Sequence, residues 1–75
     1  MALNRLDIEV IIHKDQHRDA ERWCRENLGK RWSVLDNRDG IWSCFWDGRR
    51  KNFAAYRYCF KNAEDATIFA LKFSS

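Results

Sequence analysis

The stretch GIWSCFWDG, from Gly40 to Gly48, limits what this chain can fold into more than any other segment. Residues rich in β-branched and aromatic side chains lie between two glycines, which is typical of a strand between turns. Because successive side chains of a strand point to opposite faces, the segment carries two sets, Ile41, Ser43 and Phe45 on one face and Trp42, Cys44 and Trp46 on the other. Both sets are largely apolar, whereas a strand with one solvated face alternates apolar and polar residues. Other residues must therefore pack on each face of the strand, and a small chain has few residues left for the second face.

The length of the chain, 75 residues, predicts one domain over residues 1–75, near the size at which a lone core is barely sufficient. Its hydrophobic fraction of 45% and aromatic fraction of 15% exclude a disordered tail. No apolar run approaches the roughly 20 residues that a membrane span needs. The first residues lack the continuous apolar region of a signal peptide. We therefore expect a cytoplasmic protein.

Changes in hydrophobic period along the chain predict the other elements. Residues 6–12 alternate as a half-buried strand does, and residues 15–28 have the apolar spacing of a helix with Asp15 as its N-cap and Gly29 just after its end. Strands are predicted at 31–36, 41–47 and 53–61, with a turn at 37–40, and a final helix follows Asn62. In an alternative, residues 31–47 form one bent strand.

This order, β-α-β-β-(β)-α, predicts an α+β fold: a mainly antiparallel sheet of three or four strands with two helices on one face, of the ferredoxin-like or split βαβ type. The first and last strands should be neighbours, which places Arg57 opposite Asp7 or Glu9 as a cross-strand ion pair. The helices should cover Leu6, Ile8, Val10, Ile12, Tyr56, Tyr58 and Phe60. The other face then holds Ile11, Phe53 and one set from the middle strand.

Residues that carry chemistry do not form a catalytic or metal-binding pattern. Cys24, Cys44 and Cys59 are far apart and lack a C-x-x-C spacing, which predicts reduced thiols rather than a disulfide framework or a zinc site. His13 and His17 are four residues apart, but a strand end and a helix start should give them different faces. No glycine-rich phosphate loop or nucleophile motif occurs. We expect a non-enzymatic protein without a cofactor or metal.

A group of basic and aromatic residues is the strongest candidate for a binding site. The net charge of +3 permits nucleic-acid binding without requiring it. The group comprises Trp32, Arg38, Trp42, Trp46, Arg49, Arg50, Lys51 and Phe53. Rings beside cations suit single-stranded nucleic acid, and they also suit protein interfaces. In an alternative interpretation the tryptophans are core residues and the cations of 49–51 form a solvated turn.

Two resemblances concern the C-terminal half. The segment KNFAAYRY, residues 51–58, is similar to the RNP1 pattern of the RNA-recognition motif, with matches at Lys51, Phe53, Ala54 and Tyr58. This similarity extends over residues 51–70 and implies a ferredoxin-like arrangement. The segment FKNAEDATIFALKFS resembles the ends of short uncharacterised proteins of tailed phages. That resemblance implies a small viral accessory protein in the host cytoplasm.

Two functions follow from these patterns. The first is a binding module that contacts a protein, either a host protein or a second copy of itself as a homodimer, through an aromatic face of its sheet. The alternative is a small binder of single-stranded RNA or DNA that uses the tryptophans and the Arg and Lys side chains of region 31–51.

Overall fold

The computed structural model describes residues 6–48 and 55–73 of the chain. The elements are β1 (Ile8–His13), a 3-10 turn (Lys14–Gln16), α1 (His17–Leu28), β2 (Trp42–Asp47), β3 (Ala55–Phe60) and α2 (Ala63–Phe73). This is an α+β fold with a three-stranded antiparallel sheet and two helices. The predicted start of the last strand at Phe53 and the cations Arg49, Arg50 and Lys51 lie outside the described residues.

The central strand of the sheet is β3, the last strand in the sequence. It pairs antiparallel with both β1 and β2, in the order β1-β3-β2. Tyr58 lies opposite Val10 on one side and opposite Cys44 on the other. The strands β1 and β2 thus run parallel with one strand between them, which is a split βαβ arrangement. The predicted contact of the first and last strands is confirmed.

The two helices cover one face of the sheet. The side chains that form this core include Ile12, Ala20, Cys24, Trp42, Cys44, Tyr58, Phe60, Ala66, Phe69 and Phe73. The β2 residues Trp42 and Cys44 therefore face the helices, and Phe45 faces away. Leu6 departs from the prediction because β1 begins only at Ile8, and Leu6 lines a depression on the opposite side of the sheet.

Phe69 of α2 is the centre of the aromatic core. Its ring centroid lies 4.8 Å from that of Tyr58, 5.0 Å from that of Phe60 and 5.0 Å from that of Phe73. Trp23 of α1 approaches it edge-on at 6.0 Å. Rings from both helices and from β3 therefore meet at one side chain.

The N-cap of α1 is Gln16, one residue later than the predicted Asp15. Residues 14–16 form the 3-10 turn, and the His13 Nδ1 atom accepts a hydrogen bond of 3.1 Å from the Asp15 backbone N–H. His13 thus caps the 3-10 turn, whereas the Gln16 side chain makes no capping hydrogen bond to α1. The end of α1 is as predicted, since Gly29 adopts a φ of 92°, which glycine tolerates.

The strand predicted at 31–36 does not form. Ser33 and Asn37 exchange two backbone hydrogen bonds of 3.0 Å around the turn 34–36. The Asn37 side-chain amide also donates to the Lys30 carbonyl at 2.7 Å, which folds the segment back on itself. Asparagine side chains compete in this way with sheet hydrogen bonds. The predicted turn at 37–40 is present, with the Gly40 N–H donating to Asn37 O at 3.3 Å.

Candidate functional site

The face of the sheet away from the helices, here called the open face, is the candidate site. Among the described residues, no helix or strand packs on it. Its middle row runs Ile11, Arg57, Phe45 across the three strands. Phe45 is 40% exposed, whereas the neighbouring Ser43 is buried. A large apolar ring on the outer strand β2 therefore stays in contact with solvent.

Two guanidinium groups flank the Phe45 ring. The Arg31 Cζ atom lies 5.8 Å from the ring centroid, and the Arg57 Cζ atom lies 5.7 Å from it. Both distances are within the range of a cation–π interaction. The ring therefore has two positive charges nearby, one from the loop after α1 and one from β3.

Arg31 reaches Phe45 because it is anchored on the edge of β2. Its Nε atom donates to Ser43 Oγ at 3.1 Å, and its Nη2 atom donates to the Cys44 carbonyl at 2.6 Å. Both acceptors are neutral, and no described carboxylate forms an ion pair with Arg31. The arginine thus covers a strand edge and keeps its charge uncompensated beside the open face.

Arg57 has a carboxylate partner on the same face. Its Nη1 atom lies 3.3 Å from Glu9 Oε2, so the predicted cross-strand ion pair is confirmed. The register places Ile11 directly opposite Arg57, and the pair is therefore diagonal. Both side chains are more than a third exposed, so the pair contributes little stability. The Arg57 Nε atom is buried without a hydrogen-bond partner.

Two depressions border Phe45. One, of about 430 Å³, is lined by Arg25, Lys30, Arg31 and Trp32 as well as by Phe45. Lys30 donates to Asp36 at 3.2 Å, and this bond holds the pKa of Asp36 below its usual value. The other depression, of about 240 Å³, lies between Leu6, Trp32, Phe45 and Cys59. Trp32 therefore belongs to the same surface as Phe45.

The other described members of the predicted contact set, Arg38, Trp42 and Trp46, do not join this surface. The structure corrects the prediction that Trp42 is a contact residue. Its side chain is fully buried, and its Nε1 atom donates to the Gly29 carbonyl at 2.8 Å. Arg38 lies in the loop, where its Nε atom donates to Val34 O at 2.9 Å. Trp46 is 56% exposed, but it is on the helix-covered side, at the end of the sheet. The structure therefore divides the described members of the basic and aromatic group between the core and separate surfaces.

Trp46 belongs to an aromatic stack at the start of α1. Its ring meets Tyr56 edge-on at 5.2 Å, and Tyr56 stacks on His17 with centroids 3.6 Å apart. A depression of about 580 Å³ beside these rings is also lined by Lys14 and Asp15, among others. Charges of both signs at its rim give it no clear preference for an anion or a cation.

The thiols are placed for packing rather than for nucleophilic chemistry. Burial raises the pKa of Cys24 to about 12, and burial also raises the pKa of Cys44 and of Cys59. They are therefore protonated at neutral pH, when a nucleophilic cysteine needs its thiolate form. Within residues 6–48 and 55–73, no group of three or more His, Cys, Asp or Glu side chains is placed to hold a metal ion.

Sequence reasoning ranked Phe45 as one of two options and did not foresee the clamp that Arg31 forms on β2. No signal in the sequence separates Phe45 from the other set, because both sets of the strand are largely apolar and the polar member of its own set, Ser43, is buried. Arg31 is one of the cations that cluster with aromatic residues in region 31–51, but its contacts with β2 depend on how the loop folds. Neither α1 nor α2 combines the length and apolar character of a membrane-spanning helix.

Comparison with known proteins finds no match among family models, curated proteins or solved structures. Function is therefore inferred from the open face itself.

Proposed function

We propose that this chain is a small, non-enzymatic binding protein that contacts another protein through the open face. The observation that carries the proposal is the Phe45 ring, exposed on the outer strand β2 within cation–π distance of Arg31 and Arg57. Aromatic and arginine side chains dominate the residues that contribute most to protein–protein binding. A pre-positioned ring also loses little conformational entropy when it binds.

The charges of the open face favour a protein over a polyanion. Glu9 and Asp47 are carboxylates on the same face, and one of them already compensates Arg57. A phosphate backbone would meet these negative charges, whereas a folded protein can place a cation against one and a carboxylate against Arg31. The partner we propose offers an apolar side chain to Phe45 and an acidic group to Arg31.

The biological setting is also a proposal. The resemblance of the C-terminal segment to short tailed-phage proteins supports an accessory role in the host cytoplasm, with a host protein as the partner. A small chain with a few strong contact residues suits such a role, because it needs one surface and no catalytic apparatus.

Photo-crosslinking tests the proposal. A photoreactive phenylalanine analogue at position 45 should form a defined adduct with one cellular protein. The same analogue at Leu71 is the control, since Leu71 is 71% exposed but lies on α2. With the adduct partner purified, Phe45→Ser should weaken binding at least about tenfold, because an exposed aromatic contact is lost.

Two results would count against the protein-binding proposal. One is the absence of an adduct at position 45. The other is the same adducts from position 45 and from position 71, which would indicate random collisions.

A second candidate function, binding of single-stranded nucleic acid, rests on the depression of about 430 Å³. Arg25, Lys30 and Arg31 lie there beside the rings of Trp32 and Phe45. Bases could stack on the rings while phosphates meet the cations. Arg25 and Lys30 already have carboxylate partners, at 2.9 and 3.2 Å, which weakens this candidate.

Tryptophan fluorescence distinguishes the two candidates. Nucleic-acid binding predicts quenching by oligonucleotides that decreases steeply as salt is added. It also predicts that Trp32→Phe removes most of the quenching while Trp46→Phe does not, because Trp46 lies away from the depression. An absence of quenching at low salt eliminates this candidate.

A further inference from the structure

The guanidinium group of Arg31 has one edge bound to the protein and one edge that is unused. Its Nε–H donates to Ser43 Oγ at 3.1 Å, and one Nη2–H donates to the Cys44 carbonyl at 2.6 Å. An arginine side chain has five N–H donors in a rigid plane. Within the described part of the chain, no hydrogen bond uses the Nη1 atom or the second Nη2–H of Arg31. One N–H from each Nη atom is therefore left to bind both oxygens of a carboxylate.

The charges around this edge suit a single anion. Arg31 lines the depression of about 430 Å³ together with Arg25, Lys30 and Asp36. Arg25 pairs with Glu21 at 2.9 Å, and Lys30 pairs with Asp36 at 3.2 Å. All 11 Asp and Glu residues lie in the described part of the chain, and none of them forms an ion pair with Arg31. The one uncompensated positive charge suits a monocarboxylate better than a chain of phosphates.

Apolar side chains border the same depression. Trp32, Val34 and Phe45 line it beside Arg31. The Arg31 Cζ atom lies 5.8 Å from the Phe45 ring centroid, so an anion bound to the guanidinium lies near an exposed ring. The volume is within the range of about 300–1,000 Å³ that is typical of ligand sites. The ligand that fits has a carboxylate and an apolar group a few bonds apart.

We propose that Arg31 and Phe45 bind the C-terminal residue of the partner protein, with its α-carboxylate on the Arg31 guanidinium and its apolar side chain on the Phe45 ring. This inference rests on the protein-binding function proposed above. A C-terminal residue carries both groups on one Cα atom, so few rotatable bonds lose their freedom on binding. An internal acidic residue needs a second residue for the apolar contact, because adjacent side chains of an extended segment point to opposite faces. More side chains must then be immobilised.

A second depression extends the site. It has a volume of about 240 Å³, and Trp32 and Phe45 line it as they line the first one. Its other lining residues, Leu6 and Cys59, carry no charge. In an extended peptide, alternate side chains lie on the same face about 6.6 Å apart. A peptide that crosses the two rings therefore places the side chain of its third-last residue in this depression, and that side chain is apolar.

Peptide titrations of the full chain test this inference. The probes are N-acetyl-Leu-Ser-Leu with a free C-terminal carboxylate and the same peptide with a C-terminal amide. In nuclear magnetic resonance spectra, the acid should shift the Arg31 Nε–H and Trp32 indole N–H signals. The amide should bind at least about tenfold more weakly, because the charge-assisted pair is lost. Equal dissociation constants overturn the inference, and so does an acid that does not bind at millimolar concentration.

A shorter probe identifies the source of the carboxylate. N-acetyl-leucine carries the same carboxylate and side chain but lacks the preceding residues. The tripeptide should bind at least about fivefold more tightly, because its first leucine buries apolar surface in the second depression. N-acetyl-leucine that binds as tightly as the tripeptide overturns a protein C-terminus in favour of a small carboxylic acid.

A variant that gains affinity separates binding from folding. Asp36→Asn removes a negative charge from the depression and keeps an oxygen that can accept from Lys30. The peptide acid should bind this variant about threefold more tightly, and the affinity of the amide should not change. Asp39→Asn is the matched control, because it changes the net charge equally but Asp39 does not line the depression. Equal affinities of the acid for the two variants contradict a carboxylate bound beside Arg31.

The inference and the function proposed for the open face fail separately. Two glycines added to the C-terminus of the crosslinked partner move its carboxylate away from the apolar side chain and should weaken binding at least about tenfold. Undiminished binding of the extended partner overturns the inference, while the adduct at position 45 still supports protein binding. The absence of that adduct overturns the protein-binding function, which the peptide titrations do not measure.

Discussion

At the scale of single residues, His17 shows how the fold sets the chemistry of one ring. Its Nδ1 atom lies 2.8 Å from the Tyr58 hydroxyl, and its Nε2 atom lies 3.8 Å from Glu21. Burial lowers the pKa of His17, the nearby Glu21 carboxylate opposes that change, and the Arg31 charge adds to it. The folded protein therefore favours the neutral ring.

This shift predicts a dependence of stability on pH. Because the pKa of His17 is lower in the folded state than in the unfolded state, protonation favours unfolding. The stabilisation is complete above the unfolded value of about 6.5 and is lost as the pH falls through the folded value. We expect the free energy of unfolding, measured by urea titration, to decrease as the pH falls from about 7 to about 5.5.

The variants that test this are His17→Gln and His13→Gln. Glutamine at position 17 can still accept from Tyr58 but does not titrate, so the decrease should become smaller. His13→Gln is the matched control, because it removes the other histidine and leaves the contribution of His17. An equal pH dependence in wild type and His17→Gln would show that other groups cause it.

At the scale of elements, the cover on β2 depends on the loop before it. Gly40 makes this loop possible, since a Cβ atom there would lie 2.6 Å from the Trp32 Cα atom. The loop then delivers Arg31 to the Cys44 carbonyl and Trp32 to the Trp42 carbonyl. This short irregular segment thus covers the outer edge of β2, which a fourth strand would otherwise cover.

Removal of the Arg31 side chain should destabilise the protein and expose the outer edge of β2. Arg31→Ala leaves the part-buried Cys44 carbonyl without its donor, which costs about 1–3 kcal/mol of unfolding free energy. It should also increase aggregation measured by light scattering, because a strand edge becomes available. Arg25→Ala is the matched control: its ion pair with Glu21 is on a helix surface and is worth about 0.3–0.5 kcal/mol. Equal losses in the two variants would contradict the role of Arg31.

The same element scale shows what the sequence could predict. The helical stripes, β1 and β3 follow from hydrophobic period, and the Glu9–Arg57 pair follows from strand order. The strand predicted at 31–36 was wrong. The composition of this segment suits a strand, but the side-chain hydrogen bonds of Asn37 fold it back on itself. The choice between Trp42 and Phe45 was open because both faces of β2 are apolar, and a one-residue shift in register exchanges them.

At the scale of the whole molecule, stability is concentrated in the aromatic core. A domain of 75 residues has a total unfolding free energy of about 4–11 kcal/mol, at roughly 0.05–0.15 kcal/mol per residue. Phe69 contacts rings from both helices and from β3, and its side chain is fully buried. One residue therefore joins the three parts of the core.

The unfolding free energy lost on truncation of Phe69 should be a large part of the total for the protein. Phe69→Ala should cost about 3–5 kcal/mol, so near-ultraviolet circular dichroism should show weakened or lost tertiary packing at room temperature. Leu71→Ala is the control on the same helix, since Leu71 is exposed and its loss should change stability by less than about 0.5 kcal/mol. A Phe69→Ala variant as stable as the control would show that the core tolerates the cavity.

The order of the strands also determines when the sheet can form during synthesis. Both outer strands pair with β3 and not with each other, and β3 ends at Phe60. While the ribosome is still translating the segment before β3, α1 can form but β1 and β2 have no strand to bind. The nascent chain therefore carries two unpaired strands until β3 emerges from the exit tunnel, and the sheet then closes on both sides of β3.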